Sequence, residues 1–340
     1  MSYKNTMKLF ASNFTLVWKQ VLYFLICLLI FTPITFACAR PIIDIFREND
    51  IFSQLGNTFS SFQAIGFSSA VTITELIKKS MDLIFSNFKD IFGNLMLVGL
   101  FGFVLPYIVL KISSYNLSSI FYKKLTMNMN VGYTQNLIQT LKYSIPYALM
   151  NLIYMLPLWT ITILAVELYL LASDTILGIF IGLVCLSAFM IFINAVKHTI
   201  FSNYTAIYIE KECSVFIAFA SSFSITIKNL WHILASSVVF HITVLVANSF
   251  VALFTFIAGL ILMIPATFVL TAIFYEIIYL NKTGKRYYLG NNFIYNPVKY
   301  TVKIDEYADK MLNPEEPIEE QFVTSITSVN KNKSDIKNKK

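Results

Sequence analysis

The residues best suited to chemistry are polar side chains placed inside long apolar stretches. His241 lies near the middle of the stretch 231–251, with Ser237 one helical turn before it and Asn248 two turns after it. A helix repeats every 3.6 residues, so these three side chains share one face. Polar groups in such surroundings are costly and often bind a proton or a substrate. Hydrogen bonding between packed helices is the commoner use of such residues, and both interpretations stay open.

Signatures of catalysis are missing from the sequence. It contains no HExxH, no GxSxG, no P-loop and no glycine-rich dinucleotide motif. The apolar stretches hold no paired carboxylates. The four cysteines, which show no CxxC spacing, are Cys27, Cys38, Cys185 and Cys213. The sequence therefore predicts a protein that is not an enzyme and that has no cofactor, no metal site and no structural disulfide.

Composition places the chain in a lipid bilayer. Of its 340 residues, 56% are hydrophobic and only 13% are charged, whereas soluble domains carry roughly 25% charged residues. A stretch of about 20 apolar residues can cross a bilayer as a helix. Six such spans are predicted, at about 20–39, 92–112, 144–170, 175–196, 231–251 and 254–280. The predicted fold is an all-α polytopic membrane helix bundle that occupies residues 1–290.

A string of about ten residues recurs before alternate spans. Its copies are Phe10-Ala11-Ser12-Asn13-Phe14 with Lys19, Phe219-Ala220-Ser221-Ser222-Phe223 with Lys228, and a weaker Tyr133-Thr134-Gln135-Asn136-Leu137 with Lys142. We name the ranges 10–19, 133–142 and 219–228 the lead-in segments. Each is predicted to be a short amphipathic helix on the cytoplasmic surface that leads into a membrane helix.

A second string recurs where the even-numbered spans end. Its copies are Ile120-Phe121 with Lys124, Ile207-Tyr208 with Lys211, and Ile278-Tyr279 with Lys282. We name the ranges 117–124, 204–211 and 275–282 the closing segments, and their aromatic residues are expected at the level of the lipid headgroups. Aromatic-lysine borders also arise at ordinary membrane interfaces. Together with the lead-in match, they favour an internal repeat of three helix pairs.

Basic residues set the predicted orientation. The net charge is +7. Its excess lies in loops beside the apolar spans, where it indicates topology rather than a nucleic-acid partner. Segments 1–19 and 111–142 carry lysines and no acids, whereas 40–91 carries five basic and six acidic residues. Both termini are thus predicted to be cytoplasmic and 40–91 external. Ala37-Cys38-Ala39 also fits a signal-peptidase site, but the preceding apolar stretch is long for a signal peptide.

The external insert 40–91 is predicted to contain an amphipathic helix. Thr72-Ile73-Thr74-Glu75 has the pattern of a capping box, and 51–70 is expected to be a loop or a short helix. Apolar residues after the box share one helical face, and they run from Ile73 through Leu76, Ile77, Met81, Ile84, Phe85 and Phe88 to Phe92. This helix is expected on the outer membrane surface or against the bundle, either as a packed cap or as a surface for a ligand or partner.

Several further expectations concern single residues. Ser173 or Asp174 can cap the fourth span, and Glu167 and Glu276 are expected near span ends, within reach of water. Asn151 and Asn194 are expected to pack helices together. The polar tail 291–340 cannot bury enough apolar surface to fold and is predicted to be disordered and cytoplasmic.

The lead-in strings carry a resemblance. Phe219 to Phe223 followed by Lys228-Asn229-Leu230-Trp231, and Phe10 to Phe14 followed by Trp18-Lys19, resemble a loose group of uncharacterised bacterial six-helix membrane proteins. That group is related to the membrane domain of some glycerophosphodiester phosphodiesterases. The resemblance covers roughly residues 1–290. The soluble phosphodiesterase domain is missing, so that activity does not carry over.

Two functions follow as expectations. The first is a non-enzymatic scaffold or accessory subunit of a bacterial plasma membrane, which would bind a membrane protein partner. The second is a small-molecule or lipid transporter that uses the face formed by Ser237, His241 and Asn248. A bias toward Ile, Phe, Asn and Lys suggests an AT-rich genome.

Overall fold

Helices dominate the structure, a computed structural model that describes residues 2–65, 67–172, 176–201, 203–255, 258–290 and 293–297. The helices are α1 (Ser2–Ser12), α2 (Thr15–Glu48), α3 (Ile51–Ile65), α4 (Phe67–Ser86), α5 (Phe88–Gly99), α6 (Leu105–Met127), α7 (Tyr133–Ala172), α8 (Ile176–Phe201), α9 (Tyr204–Lys211), α10 (Val215–Lys228), α11 (Leu230–Phe254) and α12 (Leu260–Lys282). A π-helical turn, Leu100–Val104, joins α5 to α6.

Six of the described helical stretches are long and apolar enough to cross a membrane. They are Thr15–Glu48, Phe88–Met127, Tyr133–Leu170, Val184–Lys211, Leu230–Phe254 and Leu260–Lys282. The prediction of a multi-pass helical bundle is therefore confirmed at this level. The last two membrane helices lie against each other, because α11 ends at Phe254 and packs against α12.

Several helices extend well beyond their apolar stretches. The helix α2 continues past the predicted end at 39 and stops only near Asp50, whose φ of 57° lies in the left-handed region. The second stretch likewise runs on to Asn128, another left-handed residue, with φ of 53°. Left-handed residues commonly end helices, because they turn the chain away from the helix axis. Prolines lie inside two of the long helices, Pro33 in α2 and Pro146 in α7. Membrane helices tolerate such internal prolines.

The first lead-in segment is not one helix, because it runs from the end of α1 through a turn into α2, whereas the other two lie within α7 and α10. The helices that hold the lead-in segments pack against helices that hold closing segments. The contacts join α1 to α12, the start of α7 to α6, and α10 to α9. The fourth position of the string is buried in all three copies, as Asn13, Asn136 and Ser222. The lysines that end the copies, Lys19, Lys142 and Lys228, are all exposed. Each segment thus turns one side toward the protein and another away from it.

The largest core lies where the lead-in and closing segments meet, and we call this end of the bundle the base. The Ile-aromatic pairs of the closing segments are at most 4% exposed, and they are Ile120 and Phe121, Ile207 and Tyr208, Ile278 and Tyr279. These rings pack against protein, and their level relative to the lipid headgroups stays a prediction. Tyr147, Tyr204 and Tyr208 stack there with interplanar angles of 12–16°.

A small β-hairpin, which hydropathy and composition do not predict, closes the base. Strands β1 (Tyr287–Gly290) and β2 (Phe293–Tyr295) pair antiparallel. The hydroxyl of Tyr287, a fully buried residue, bonds to Asn5 at 3.0 Å and to Asn281 at 3.2 Å. The predicted tail boundary at 291 falls within this hairpin, and residues 298–340 lie outside the described residues, as do Ser173 and Asp174.

The insert is more helical than predicted. The range 51–65 is helical, and α4 starts at Phe67 and packs against α3. The capping-box prediction at Thr72 is wrong, because that residue lies inside α4 rather than before it. Of the predicted apolar face, Leu76 is buried, whereas Phe85 is 64% exposed. The exposed part of the face is available to lipid.

A candidate basic site between the membrane helices

Ser237 and His241 lie one turn apart on α11, and both contact neighbouring helices. Ser237 is fully buried, and its hydroxyl accepts a hydrogen bond of 3.2 Å from the hydroxyl of Tyr275 on α12. The Nδ1 of His241 lies 3.0 Å from the carbonyl oxygen of Ser237. A carbonyl only accepts, so Nδ1 carries a hydrogen, and Nε2 is left to face other groups.

A second histidine, His198 of α8, completes an aromatic cluster. Its ring lies 4.7 Å from the ring of His241, centroid to centroid, and stacks on Tyr275 at 5.1 Å with an interplanar angle of 8°. The stack fixes the imidazole in place, while its ring nitrogens stay at the edge, where they can donate or accept. Three helices therefore bring two imidazoles and a phenol into contact.

Two lysines add positive charge to this cluster. Lys197 precedes His198 on α8, and Lys111 projects from α6; both lie within electrostatic range of His198. Lys111 also lies over the ring of Tyr107, with Nζ 5.5 Å from the ring centroid. Together, Lys111, Lys197, His198 and His241 form what we call the basic site. All four are half-buried, so each can be reached from the surface of the bundle.

The basic site has no carboxylate partner among the described residues. The ion pairs in that part of the chain are Arg47–Asp44 and Lys285–Glu210. Charged groups inside membrane proteins almost always pair with one another or with backbone carbonyls. Nearby, the hydroxyl of Tyr107 is buried without a hydrogen-bond partner. The site therefore offers several hydrogen-bond donors and positive charge to an anion.

The acidic residues of the base are arranged differently. Glu210 accepts hydrogen bonds from Tyr279 and Lys285. Glu276 is only 1% exposed, and its Oε2 has no partner. Its carboxyl group interacts with Ser118 of α6. The expectation that Glu276 reaches water is wrong, because α12 is packed on several sides and its last turns lie in the core.

The other predicted polar residues serve separate roles. Asn248 lies outside the basic site, and its Nδ2 is 3.4 Å from the hydroxyl of Thr267 on α12. Asn151 and Asn194 donate to carbonyl oxygens of their own helices, at Tyr147 and Met190. Among the described residues, neither side chain has a hydrogen bond to another helix, contrary to expectation.

Lys111, Lys197 and His198 are the residues that sequence reasoning misses. In the sequence, Lys111 lies at the end of one predicted span, and Lys197 and His198 lie just after the end of another. Basic residues at such positions are expected to indicate the orientation of the helix in the membrane, not a binding site. The structure instead continues α6 to Met127. One signal was present in the sequence: Lys111 precedes the closing lysine Lys124 by the same distance as His198 precedes Lys211.

No group of three or more His, Cys, Asp or Glu side chains among the described residues could hold a metal ion. Comparisons with protein-family models, with curated proteins and with solved structures found no match to this chain. The resemblance to the six-helix bacterial membrane proteins therefore stays a prediction.

Proposed function

We propose that this protein binds an anionic amphiphile at the basic site and moves it within or across the membrane, as a lipid or small-molecule transporter. The observation that carries the proposal is the gathering of four basic groups from α6, α8 and α11 without a carboxylate among the described residues. An incoming phosphate or carboxylate would supply the missing charge. The activity needs binding and movement only, so it is not enzymatic.

The chemistry of the site favours a headgroup over a metal or a neutral solute. Lysine ammonium groups donate hydrogen bonds, and a neutral imidazole donates one through its single N–H. Charge-assisted hydrogen bonds of this kind are roughly twice as strong as neutral ones. In surroundings of low dielectric constant, the attraction between unlike charges is also larger than in water.

The internal repeat supports a transporter architecture. We propose three repeated helix pairs, each made of a lead-in segment, two membrane helices and a closing segment. The support is the matched burial of Asn13, Asn136 and Ser222 and the matched contacts of α1 with α12, α7 with α6, and α10 with α9. Membrane transporters are often built from such repeats. We place the protein in a bacterial plasma membrane with both termini cytoplasmic and 40–91 outside.

The test is a lipid-translocation assay in proteoliposomes with fluorescently labelled phosphatidylglycerol, in which dithionite destroys the label on the outer leaflet. Wild-type protein should expose the inner pool of label. The double variant Lys111→Gln, Lys197→Gln should slow this at least about tenfold, because each removed charge-assisted bond is worth about 1.5–3 kcal/mol. Lys142→Gln, at an exposed lysine, is the matched control and should behave as wild type. Equal rates in wild-type and protein-free liposomes would overturn the proposal.

A second candidate function, a scaffold or accessory subunit, has support of its own. Large apolar side chains are exposed in and beside the lead-in segments: Ile138 is 72% exposed, and Phe216 and Ile217, at the start of α10, are 71% and 57% exposed. Those side chains suit lipid or a membrane protein partner. Purification in mild detergent would distinguish the scaffold from the transporter. Loss of a co-purifying partner in Phe216→Ser, together with its retention in the Lys111 variant, would favour the scaffold.

A further inference from the structure

An apolar groove runs between α2 and α6, and none of its lining residues belongs to the basic site. Its volume is about 310 Å³, within the range of roughly 300–1,000 Å³ that is common for ligand sites. The groove is lined by Phe24, Cys27, Leu28, Phe31, Thr32, Thr35, Phe36, Ala39, Ile43, Phe101, Gly102, Pro106 and Leu110. None of these side chains is charged, and the only oxygen atoms among them are two threonine hydroxyls.

The sequence maintains this groove by local distortion of one wall. The π-helical turn Leu100–Val104 widens the helix between α5 and α6, and such turns are frequent at functional sites. Within it, Gly102 lets the helices approach closely, because an added Cβ would lie 3.0 Å from Cγ2 of Thr35. The groove therefore lies where the close contact between Gly102 and Thr35 adjoins the π-helical turn.

Hydrogen bonds join α2 to α6 on one side of the groove and to α5 on the other. Toward the base, the hydroxyl of Tyr23 donates to the carbonyl of Val109 at 2.9 Å. Toward the other end, Nδ2 of Asn94 donates to the carbonyl of Cys38 at 3.1 Å. Both bonds join distant parts of the chain, so they set the separation of the helices and keep the groove open between them.

Positive charge lies at the end of the groove away from the base. A second cavity, of about 610 Å³, shares Thr32, Phe36 and Ile43 with the groove and extends along α2 to Arg40 and Arg47. There Arg47 lies 3.7 Å from Asp44. Arg40 is exposed and forms no ion pair or hydrogen bond among the described residues.

We propose that this groove binds one acyl chain of a phospholipid whose anionic headgroup is held by Arg40. The apolar lining matches a hydrocarbon chain, and Phe36, which is 66% exposed, leaves the groove open toward the bilayer. Arg40 gives the charge complementarity that selects an anionic headgroup, since a guanidinium binds phosphate with paired hydrogen bonds. This lipid site uses none of the residues of the basic site and does not depend on the proposed transport.

The experiment uses full-length protein in nanodiscs that contain phosphatidylglycerol with a photoreactive acyl chain, followed by mass-spectrometric mapping of the cross-linked peptides. Cross-links in wild type should fall on groove residues such as Phe31 and Phe101. Unlabelled phosphatidylglycerol should compete at least about tenfold better than phosphatidylcholine, in line with one charge-assisted contact. Arg40→Gln should remove that preference and leave the position of the cross-links unchanged.

Two variants complete the test. Arg47→Gln is the matched control, because Arg47 already has Asp44 as its partner, and it should keep the preference within about twofold. Ala39→Phe fills the groove and should lower cross-linking for both lipids. Cross-links spread evenly over lipid-facing helices, or an unchanged headgroup preference in Arg40→Gln, would overturn the proposal and indicate ordinary boundary lipid. The cross-link map of the wild-type protein distinguishes the groove from boundary lipid even if Ala39→Phe fails to fold. The double variant of Lys111 and Lys197 should give the same cross-link map as wild type.

Discussion

Replacing Asn136 with alanine should destabilise the protein more than almost any other polar change in the lead-in segments. Asn136 is fully buried at the start of α7. Its Oδ1 accepts from Nζ of Lys123 at 2.8 Å, and its Nδ2 donates to Oδ1 of Asn116 at 2.8 Å. Both partners belong to α6, so this one side chain joins the second lead-in segment to the helix before it.

The expected magnitude follows from those two bonds. The bond to an ammonium group is worth about 1.5–3 kcal/mol, and the buried amide oxygen of Asn116 left unpaired costs about 1–3 kcal/mol. Alanine returns at most about 0.7 kcal/mol in helix propensity. The net loss is about 3 kcal/mol, or more than about 100-fold in the unfolding equilibrium. Asn13→Ala removes only one such bond between helices, from Lys124 at 2.6 Å, and should cost about half as much.

The measurement is reversible unfolding in mixed detergent micelles, with the free energy of unfolding taken from the transition midpoint and slope. Gln139→Ala, an exposed position on the same helix, is the control and should change the free energy by less than about 0.5 kcal/mol. Polar contacts between membrane helices average only about 0.6 kcal/mol. A loss that small for Asn136→Ala would refute the view that the base is a core in which buried polar groups depend on one another.

Three other outcomes are expected. Tyr287→Phe removes the hydroxyl that Asn5 contacts at 3.0 Å. It should lower the free energy of unfolding by about 1 kcal/mol and speed amide hydrogen exchange in α1. Unchanged exchange would contradict the view that the hairpin holds α1 in place. Gly259→Ala places a Cβ 2.5 Å from Val251 and should destabilise the α11–α12 turn by about 1–3 kcal/mol, visible as a lower thermal midpoint. In a cysteine-free background of intact cells, Lys89→Cys should react with a membrane-impermeant maleimide while Lys142→Cys should not; the reverse pattern would invert the proposed topology.

Sequence periodicity and composition were enough to predict the membrane helices, because each must present about 20 apolar residues to lipid whatever its neighbours are. They could not predict where the helices stop. Residues such as Tyr115 and Leu117 follow Lys111 and are buried against protein, so lipid hydropathy no longer describes their surroundings. The same error assigned Lys111 to a span end. The hairpin at Tyr287 was missed because a pair of short strands gives only a weak local pattern.

The candidate site could be predicted only in part, and the reason lies in how it breaks the proposed repeat. Ser237 and His241 were visible because they are polar in an apolar stretch. The remaining members come from other helices: Lys111 and His198 occupy equivalent positions before Lys124 and Lys211, and the equivalent position before Lys282 is Val269. Val269 is fully buried in the core. In the proposed repeat, two of the three copies therefore carry a basic group at this position and the third carries an apolar one. The four basic residues come from α6, α8 and α11, and none of them lines the acyl groove. Variants of one site therefore leave the residues of the other unchanged, and the two sites can be tested one at a time.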